Sequence, residues 1–526
     1  MTTPFLRPAP TVAAASAPRA RSKITTLENL ARIAARHRLE GREVVLAHGV
    51  FDLVHMGHVR HLEGARAEGD ILIVTVTPDR FVNKGPGRPV FPEGFRAEML
   101  AALECVDYVA VNTWPSAEET IKLVRPSVYV KGQDYAAADK DLTGKIAPER
   151  EAVEHAGGRI VFTDDITFSS SALINRHLNV FEPRVQSFLN RLRDQDGLGK
   201  TLAAIEAVRD MRVVLIGDAI IDEYLYAEPM GKSAKENIIA SRFTGAEAFA
   251  GGVVAAANHV ASFCREVKIV TCLGETDSYE DLIRKSVRHN VEVEFLYRPN
   301  VPTTKKTRFV APGHMRKLFE VYYFDDTPLK GPIEAELCHA IAQSSADADC
   351  VIVTDFGHGM MTRRAIDTVV KSAPFLAVNA QSNSANLGYN LVTKYHHADY
   401  VCIDAPEARL AVGDRFSPVP AIISGPLAAS MDCERVIVTH GERGCVAFDR
   451  AVGIQEIPAF TNRVVDTVGA GDAFLAVTSP IVAKGAPIEI AGFIGNAAGA
   501  LKVGIVGHRE SVEKIPLMKY VTTLLK

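Results

Sequence analysis

The sequence lacks the features that mark several classes of protein. It has no uninterrupted run of about 20 apolar residues, the length that crosses a bilayer, so we predict no membrane partner. Its formal net charge is -4, and without a basic excess we predict no nucleic-acid partner. Its eight cysteines include no Cys-x-x-Cys pair. This argues against a disulfide framework or a zinc site and favours a reducing, cytoplasmic location.

The length and the composition pattern predict two folded domains with flanking segments. A chain of 526 residues with 47% hydrophobic content is long enough for two or three domains of roughly 100–200 residues each. Residues 1–23 combine prolines, small residues and a basic end, and we predict a disordered tail there in preference to a transit peptide. The charged segment 183–210 predicts a helical linker between a domain at 24–182 and a domain at 211–526.

The most informative stretch combines an anion cradle with a candidate base. Residues 466–474 read Asp-Thr-Val-Gly-Ala-Gly-Asp-Ala-Phe, and the apolar residues that follow predict a buried helix. The small residues Gly469, Ala470 and Gly471 let successive backbone N–H groups approach a phosphate at the helix N-terminus. Asp472 follows at once as a proton acceptor. An ordinary loop with a helix cap is the alternative, but the combination favours a phosphoryl-transfer site.

Strands and glycine turns elsewhere in the C-terminal half predict a parallel sheet. An apolar strand ends near Asp218 and Asp222, Gly251-Gly252 opens a helix of small residues, and two later apolar strands run into glycine turns. Strands separated by helical stretches form doubly wound parallel sheets, which bind ligands at the carboxyl ends of the strands. We therefore predict an α/β domain of this kind.

The N-terminal half carries a second, independent candidate site. An apolar strand at 44–47 leads into His-Gly-Val-Phe-Asp-Leu-Val-His-Met-Gly-His, residues 48–58. The last part, His55-Met-Gly57-His58, begins a helix, so that two imidazoles and a helix N-terminus would face a polyphosphate. Such donors stabilise a pentacovalent α-phosphate by position and charge alone. A metal pair or two capping histidines are the alternatives for this segment.

Three later segments favour nucleotide chemistry at this second site. Arg96 lies in Phe-Arg-Ala-Glu-Met-Leu, and Lys131-Gly-Gln-Asp-Tyr follows an apolar strand. Residues 168–174 place three serine hydroxyls at the cap of another helix. Lys84 and Arg88 are further candidate phosphate contacts, with solvated loop charges as the alternative.

The C-terminal motifs closely resemble the signatures of the PfkB, or ribokinase-like, sugar kinases. The resemblance implies that Asp472 deprotonates a sugar hydroxyl. It also implies that the loop from Gly469 to Gly471 holds the charge on the transferred phosphoryl group. The sugar contacts that it implies are Asp218, Asp222, Gly251 and Gly252.

The N-terminal motifs resemble the cytidylyltransferase-like nucleotidyltransferases in their order and approximate spacing. The resemblance implies that His55 and His58 contact the triphosphate, and that Lys131 contacts its α-phosphate region or the incoming phosphate. It implies a nucleotide-binding surface that consists of Gly49, Phe51, Asp52, Gly57, Arg96, Asp134, Ser169, Ser170 and Ser171.

Together the two blocks resemble the bifunctional heptose-phosphate kinases and heptose-1-phosphate nucleotidyltransferases, with the domain order inverted. This resemblance implies an N-terminal Rossmann-like domain and a C-terminal ribokinase-like doubly wound domain with a small β lid, to which the strand-like residues 302–323 would belong. It implies ATP-dependent phosphorylation of a heptose 7-phosphate-like sugar, and nucleotidyl transfer to a sugar 1-phosphate with release of pyrophosphate. Mg²⁺ would accompany ATP, or CTP in the transferase. The lid would allow a homodimer, with a plain surface hairpin as the alternative for residues 302–323, and we assign no protein-bound metal.

Two departures from these families keep other functions open. Val253 to Ala255 follow the di-glycine where many relatives carry an asparagine, and Asn379-Ala380-Gln381 stands where the heptose kinases carry Asp-Pro-Lys. The kinase-like half could therefore be a binding or regulatory module beside an active nucleotidyltransferase. Alternatively, a cytidylyltransferase and a kinase on the same folds could act on another polyol or sugar.

Overall fold

The computed structural model describes residues 20–82, 85, 87–133, 146–163, 175, 181–313, 315–461 and 464–526. The chain divides into two compact units, one of Met1–Val180 with Lys526 and one of Phe181–Leu525. Within the described ranges, no helix is both long and apolar enough to cross a membrane.

The first unit is built on a parallel five-stranded sheet. Its strands are β1 (Val44–Gly49), β2 (Ile71–Val76), β3 (Tyr108–Val111), β4 (Val128–Gly132) and β5 (Arg159–Thr163). They pair in the order β3-β2-β1-β4-β5, all parallel. The described helices are α1 (Leu27–Leu39), α2 (Met56–Ala67), α3 (Glu93–Ala101), α4 (Glu118–Val124) and α5 (Ile146–His155). The strand order reverses between β1 and β4, which is where open α/β sheets bind ligands.

Alternate residues of the central strand enter two separate cores. In β1, Val45 and Ala47 belong to one cluster of buried side chains, and Val44 and Leu46 belong to the other. All four side chains are completely buried. An apolar residue at every position is what a parallel strand needs when helices cover both of its faces.

The last residues of the segment predicted as a tail lie within the described part of the chain. Arg21–Lys23 form a 3₁₀ turn. The Lys23 Nζ donates to the backbone carbonyls of Leu103 at 2.9 Å and Val106 at 2.6 Å. The folded unit therefore includes residues 21–23. Composition assigned these residues to the tail, because the two residues that bind Lys23 lie 80 and 83 positions further along the chain.

The second unit contains a large sheet and a small one. Its strands are β6 (Arg212–Gly217), β7 (Ala219–Lys232), β8 (Ile239–Gly252), β9 (Glu266–Thr276), β10 (Val291–Pro302), β11 (Lys305–Ala311), β12 (Arg316–Tyr323), β13 (Cys350–Asp355), β14 (Leu376–Ala380), β15 (Tyr400–Asp404), β16 (Arg435–Thr439), β17 (Cys445–Asp449) and β18 (Gly453–Ile457). The large sheet runs β10-β9-β6-β13-β14-β15-β16-β17-β18. It is parallel from β10 to β16 and antiparallel at its last two strands. The predicted α/β architecture is confirmed.

Helices connect and cover the strands of the large sheet. They are α6 (Pro183–Asp194), α7 (Gly197–Ala207), α8 (Val253–Ala261), α9 (Glu280–Ser286), α10 (Pro332–Ser345), α11 (Arg363–Ser372), α12 (Ala405–Val412), α13 (Ala470–Ala483), α14 (Ile488–Lys502) and α15 (Lys514–Leu525), with an irregular helical stretch over 419–430. Helices α10, α11 and α12 share a buried cluster with alternate residues of the central strands, including Val351 and Val353. Ten consecutive residues of α13, 473–482, are buried, so this helix is apolar on all sides and lies inside the unit.

The small sheet has the order β12-β11-β7-β8. Its β11–β12 hairpin lies in the segment 302–323, for which strand character was predicted, and it pairs with β7 in parallel. The longer β7–β8 hairpin was not predicted. The reason is visible in β8, where alanine, glycine and glutamate replace the alternating apolar residues that mark a half-buried strand.

The segment predicted as a helical linker, 183–210, forms α6 and α7 and packs within the second unit. Phe188 of α6 is buried with its ring 6.2 Å from that of Phe493. In α7, Glu206 accepts a hydrogen bond from Lys514 Nζ at 2.8 Å. These contacts make both helices part of the fold of this unit.

Candidate active sites

The first candidate site lies where β1 ends and α2 begins. His48 Nδ1 lies 2.9 Å from Thr75 Oγ1, and its Nε2 lies 3.2 Å from Thr77 Oγ1, so this ring joins β1 to β2. Phe51 is buried and has a left-handed backbone with φ of 50°. A Cβ at Gly49 would lie 3.0 Å from the Phe51 ring. Gly49 and Phe51 therefore shape the turn that leads into the helix.

Two stacked histidines occupy the start of α2. His55 is the N-cap, and its Nδ1 accepts a hydrogen bond from the Gly57 N–H at 3.1 Å. This bond leaves Nε2 to carry the proton of the neutral ring. The ring centroids of His55 and His58 are 4.1 Å apart, and Phe51 meets His58 edge-on at 5.3 Å. Burial lowers the pKa of His55, so the stack avoids two like charges at neutral pH.

Asp52 and Arg88 form a buried pair next to this turn. Asp52 Oδ1 accepts hydrogen bonds from the N–H groups of Val90 at 2.6 Å and Phe91 at 3.3 Å. Arg88 Nη1 lies 3.7 Å from Asp52 Oδ2, and Arg88 Nη2 donates to Asn175 Oδ1 at 2.9 Å. Burial lowers the pKa of Arg88, while Asp52 opposes that shift. Both predicted contacts are thus engaged with protein groups, and their side chains are only 1% and 2% exposed.

Arg96 is completely buried and has an acceptor for each edge of its guanidinium group. It donates to the backbone carbonyls of Val50, Thr77 and Phe91, the last two at 2.8 and 2.9 Å. It also donates to the Asp79 carboxylate at 2.5 Å. Arg96 therefore holds the loops around the site in place, and its side chain does not reach the surface.

Lys131, at the end of β4, pairs with a buried glutamate that was not predicted. Lys131 Nζ lies 3.0 Å from Glu149 Oε2. Glu149 also accepts from the Tyr129 hydroxyl at 3.0 Å and the Ala117 N–H at 3.2 Å. The only signal in the sequence is one acidic residue on the apolar face of α5, and it does not identify its partner.

The remaining predicted contacts of this site fall outside the described residues. They are Lys84, Asp134, Ser169, Ser170 and Ser171. Across the described part of the chain, no group of three or more His, Cys, Asp or Glu side chains could hold a metal ion.

The second candidate site is the anion loop, residues 467–471, which leads into α13. Gly469 has a left-handed backbone with φ of 75°, which glycine adopts without strain. The helix begins at Ala470, and Asp472 lies in its first turn. The side of Gly471 that lacks a side chain is open. The predicted cradle and the candidate base therefore meet at a helix N-terminus, where N–H groups and the helix dipole attract an anion.

Asp466 ties the anion loop to its surroundings. Its Oδ1 accepts from the Val468 N–H at 3.2 Å and from Lys317 Nζ at 2.9 Å. Its Oδ2 accepts from the Tyr224 hydroxyl at 2.7 Å and the Gly507 N–H at 2.9 Å. Burial acts to raise the pKa of Asp466, but these donors outweigh it and lower the pKa to about 2. The carboxylate is therefore ionised throughout the physiological pH range.

Asp472 has the electrostatic surroundings of a general base. Its side chain is half-buried. Burial raises the pKa of Asp472 and the charge of Asp222 adds to that shift, whereas His508, Lys502 and Lys306 oppose it. A carboxylate with a raised pKa is a stronger proton acceptor than an ordinary aspartate.

Asp222, on β7, pairs with two basic side chains. It forms an ion pair with Arg308 of β11, and its Oδ2 lies 3.2 Å from His508 Nε2. Burial acts to raise the pKa of Asp222, but the His508 hydrogen bond and the Arg308 charge outweigh it and lower the pKa. A Cβ at Gly251 would collide with Asp222 Oδ2 and lie 3.2 Å from His508 Nε2. Gly251 therefore leaves room for this pair.

The other predicted acidic residue, Asp218, fastens a neighbouring loop. Its Oδ2 accepts from the N–H groups of Phe356 at 3.0 Å and His358 at 3.5 Å. Burial, together with the charge of Asp355, raises the pKa of Asp218 to about 7. Gly252 has φ of 59°, and a Cβ there would collide with the carbonyl of Asp218. Of the two acidic residues, only Asp222 pairs with a side chain, His508, that also packs on the anion loop.

Two buried basic side chains next to this site were not predicted. Lys306 of β11 is 5% exposed, and its Nζ lies 5.2 Å from the ring centre of Tyr322 and 5.9 Å from that of Phe356. No carboxylate among the described residues forms an ion pair with Lys306. Burial, followed by the charge of Lys306, lowers the pKa of His358 to about 3. Neither ring nitrogen of His358 has a hydrogen-bond partner in the described part of the chain.

The residues that depart from the family patterns have structural partners. Asn379 donates from Nδ2 to a carbonyl of β15 at 2.7 Å, and the Gln381 N–H donates to the Asp355 carbonyl at 2.8 Å. Asn258, the asparagine that follows the di-glycine most closely, uses its side-chain amide on the backbone of 286–288. These asparagine side chains are therefore committed to the protein backbone.

Comparison with known families assigns the larger part of the chain. Residues 210–515 match the family described as pfkB family carbohydrate kinase, which is more than half of the 526 residues. The chain belongs to the pfkB family of carbohydrate kinases. Residues 46–176 match the family described as cytidylyltransferase-like. The chain thus carries a cytidylyltransferase-like region followed by a pfkB region, each of which includes one of the two sites.

Relatives of known name include several bacterial proteins called bifunctional protein HldE. The protein of Trichlorobacter lovleyi is 41% identical over 141 residues, which is 26% of this chain and 27% of that protein. The protein of Bradyrhizobium diazoefficiens is 28% identical over 320 residues, which is 60% of this chain and 62% of that protein. The chain matches less than two thirds of the length of each.

Solved structures of similar proteins cover the pfkB part. Arabidopsis thaliana ribokinase complexed with ribose and ATP has 19% identity and a TM-score of 0.45, over 60% of this chain and 99% of that one. Phosphofructokinase-2 from Escherichia coli in complex with fructose-6-phosphate has 15% identity and a TM-score of 0.47, over 59% of this chain and 99% of that one.

The buried position of Arg96 leads to a prediction about stability. Arg96→Met removes donors from four buried or partly buried acceptors, so we expect the first unit to lose about 3 kcal/mol of unfolding free energy. The chain contains a single tryptophan, Trp114, whose fluorescence in a urea titration reports on this unit. The exposed Arg60 of α2 supplies the control, and Arg60→Met should change the free energy by less than about 0.5 kcal/mol. A stable Arg96→Met protein that no longer binds nucleotide would instead make Arg96 a nucleotide ligand.

Proposed function

We propose that this chain is a bifunctional enzyme of nucleotide-activated sugar synthesis. Its pfkB unit transfers the γ-phosphoryl group of ATP to a hydroxyl of a heptose 7-phosphate-like sugar. Its cytidylyltransferase-like unit transfers a nucleotidyl group to a sugar 1-phosphate and releases pyrophosphate. The kinase product carries two phosphates and the transferase substrate one, so a phosphatase reaction belongs between the two steps.

One observation carries the kinase proposal. A single histidine, His508, contacts both the anion loop and Asp222, the acidic residue that we expect to bind the sugar. His508 contacts Asp222 through Nε2. A Cβ at Gly469 would lie 2.6 Å from His508 Cε1, so the same ring also lies against the anion loop. Asp472 then follows in the first helical turn. A hydroxyl held near Asp222 would therefore lie between a base and a phosphoryl cradle, as in-line transfer requires.

The charge of each group in the site determines its proposed role in the kinase reaction. Asp472 accepts the proton of the attacking hydroxyl, and the backbone N–H groups at the start of α13 stabilise the charge on the transferred group. Mg²⁺ would arrive with ATP and neutralise its phosphates.

In the transferase unit, the proposal rests on the stacked histidines and the cap of α2. The oxygen of a sugar 1-phosphate attacks the α-phosphate of a nucleoside triphosphate, so no hydroxyl needs to lose a proton. The imidazole N–H groups of the two histidines and a helix N-terminus suffice to bind the charge that develops. ATP and CTP are both retained as nucleotide donors, since no described contact selects a base.

The phosphorylated character of the kinase substrate is supported by Lys306. A buried ammonium without an ion pair is costly, and it becomes favourable when an anion binds beside it. Lys306 and Arg308 alternate on one face of β11, and the charge of Asp222 acts on Lys306. A phosphate on the sugar would supply the missing partner.

We also propose a cytoplasmic location and a homodimer. The small sheet leaves large apolar side chains exposed, including Ile239, Phe243 and Phe319. A second copy of this sheet is the partner that such a surface fits.

The kinase proposal predicts the behaviour of Asp472→Asn. With γ-labelled Mg-ATP and a panel of sugars and sugar phosphates including heptose 7-phosphate, we expect kcat to fall by about 10³-fold, because the proton acceptor is lost. Because the pKa of Asp472 is raised, the kcat of the wild type should fall on the acid side at a pH above the usual pKa range of an aspartate. Transfer of α-label in the same sample is the internal control and should persist. A variant that keeps γ-transfer would refute the role of Asp472 as the base.

The transferase proposal predicts the behaviour of His58→Gln. With α-labelled ATP or CTP and a sugar 1-phosphate, we expect at least a 100-fold loss of nucleotidyl transfer, of the order seen when one transition-state donor is removed. His155→Gln, at an exposed end of α5, is the control and should be as active as the wild type. If His58→Gln transfers α-label normally, the stacked pair is a structural cap only.

The role of Lys306 predicts a change in substrate preference. Lys306→Met should raise the KM for the sugar phosphate by roughly 10- to 100-fold, since one charge-assisted hydrogen bond is lost. The KM for the unphosphorylated sugar should change little. The neighbouring Lys305 pairs with Glu223, so Lys305→Met tests for a general effect of charge. An equal loss for both sugars would show that Lys306 does not recognise the phosphate.

A further inference from the structure

Lys502 is the least expected charged residue of the pfkB unit. It is the last residue of α14, and it is completely buried. Among the described residues no carboxylate lies within ion-pair distance of its Nζ. Its hydrogen bonds go to two backbone carbonyls, Val468 at 2.9 Å and Gly507 at 2.6 Å. A buried ammonium that meets only neutral acceptors needs a further reason to be there.

The first carbonyl belongs to the anion loop itself. Val468 C=O and Gly469 N–H form one peptide group, in which the two bonds point in opposite directions. Because the Val468 carbonyl points inward to Lys502, the Gly469 N–H of the same peptide points in the opposite direction, away from the protein interior. The ammonium also polarises the peptide and makes its N–H a stronger donor. Lys502 thus orients a donor of the phosphoryl cradle without touching the phosphate.

The second carbonyl connects the same ammonium to the histidine turn. Gly507 immediately precedes His508, whose ring lies against both Asp222 and Gly469. A Cβ at Gly469 would come within 2.6 Å of His508 and 3.4 Å of the Lys502 side chain. The absence of a side chain at Gly469 is therefore needed on the protein side of the loop. Lys502 therefore fixes two turns, the anion loop and the turn that carries His508, the partner of Asp222.

The charge of Lys502 is balanced at longer range. Burial lowers the pKa of Lys502, while Asp466, Asp472 and Asp222 oppose that shift. The position at the C-terminus of α14 also favours a cation, because the helix dipole is negative there. The ammonium therefore lies behind the anion loop as a fixed positive charge, on the opposite side from an arriving phosphate.

We propose that Lys502 is a positioning residue of the kinase reaction, which sets the orientation of the anion loop and supplies an internal cation behind it. This inference rests on the proposed kinase function. The charged and titratable groups that act on Asp472, the base next to this loop, are His508, Asp222, Lys502 and Lys306, and Asp472 in turn acts on Glu407 and Cys402.

The test compares Lys502→Met with the wild type in the full chain, with γ-labelled Mg-ATP. We expect kcat to fall at least about tenfold, because a transition-state donor is misaligned, with the KM for the sugar within about threefold of the wild type. The acid limb of kcat should move to higher pH, since Lys502 lowers the pKa of Asp472. A purely structural role would leave that limb in place. Lys484→Met, an exposed lysine after α13, is the matched control.

A second variant separates charge from packing. Lys502→Ala leaves a space that two carbonyls face, and ammonium chloride should restore part of its kcat, whereas sodium chloride at equal ionic strength should not. Thermal melting identifies variants that do not fold, and Lys502→Gln, which keeps a donor without the charge, is then measured in the same way. A wild-type kcat and acid limb in the folded variants would overturn the role of Lys502. Absence of γ-transfer in the wild type would instead overturn the kinase proposal itself.

Discussion

The carboxylate of Asp466 is the constraint on which the pfkB unit depends. Four donors from four separate segments meet on its two oxygens, from β7, β12, the anion loop and the turn at Gly507. Three of these segments, the anion loop, the turn at Gly507 and the exposed edge strand β12, have little buried apolar surface of their own, whereas β7 is an inner strand of the small sheet. Because a buried carboxylate is costly unless its oxygens are satisfied, these segments are bound to one arrangement. The anion loop inherits its shape from that arrangement.

Around this anchor, the site is a network of acidic and basic side chains, most of which are buried. Asp222 lies between Arg308 and His508, Asp466 accepts from Lys317, and Lys502 lies behind the anion loop. Such a network resists rearrangement, since moving one member leaves another buried without its partner. Preorganised charges do not have to reorient when a phosphoryl group moves, which is the main way a kinase site lowers its barrier. Lys306 is the exception, because among the described residues its ammonium group has neither an ion pair nor a hydrogen bond, and for this reason we propose it as the contact of a phosphorylated substrate.

Sequence reasoning found the ends of strands and the starts of helices, and it found little of what supports them. The anion loop, Asp472 and the His55–His58 pair were predicted because glycines, a helix start and a catalytic residue type occur within a few positions of one another. Sequence reasoning could not predict four of the supporting residues, His508, Lys502, Lys306 and Glu149. Their partners are distant in the sequence, and the sequence does not distinguish a buried lysine from a surface lysine. Arg96 and Arg88 show the converse, since a basic residue near a phosphate motif reads as a ligand although the structure buries both. The α/β class followed from periodicity, except in β8, where the periodicity is absent, and the small lid sheet was expected from the family resemblance.

The two candidate sites apply one principle in different electrostatic settings. Each places a helix N-terminus at the carboxyl end of a parallel strand or beside such a sheet, where backbone N–H groups bind phosphate oxygens. The first surrounds it with two stacked imidazoles, and burial lowers the pKa of one of them, His55, which suits the proposed nucleophile, already an anion. The second surrounds it with fixed ions and a carboxylate of raised pKa, which suits a neutral hydroxyl that must lose a proton. The difference in charge between the sites therefore corresponds to the difference between the two proposed nucleophiles, a phosphate oxygen in one and an alcohol in the other.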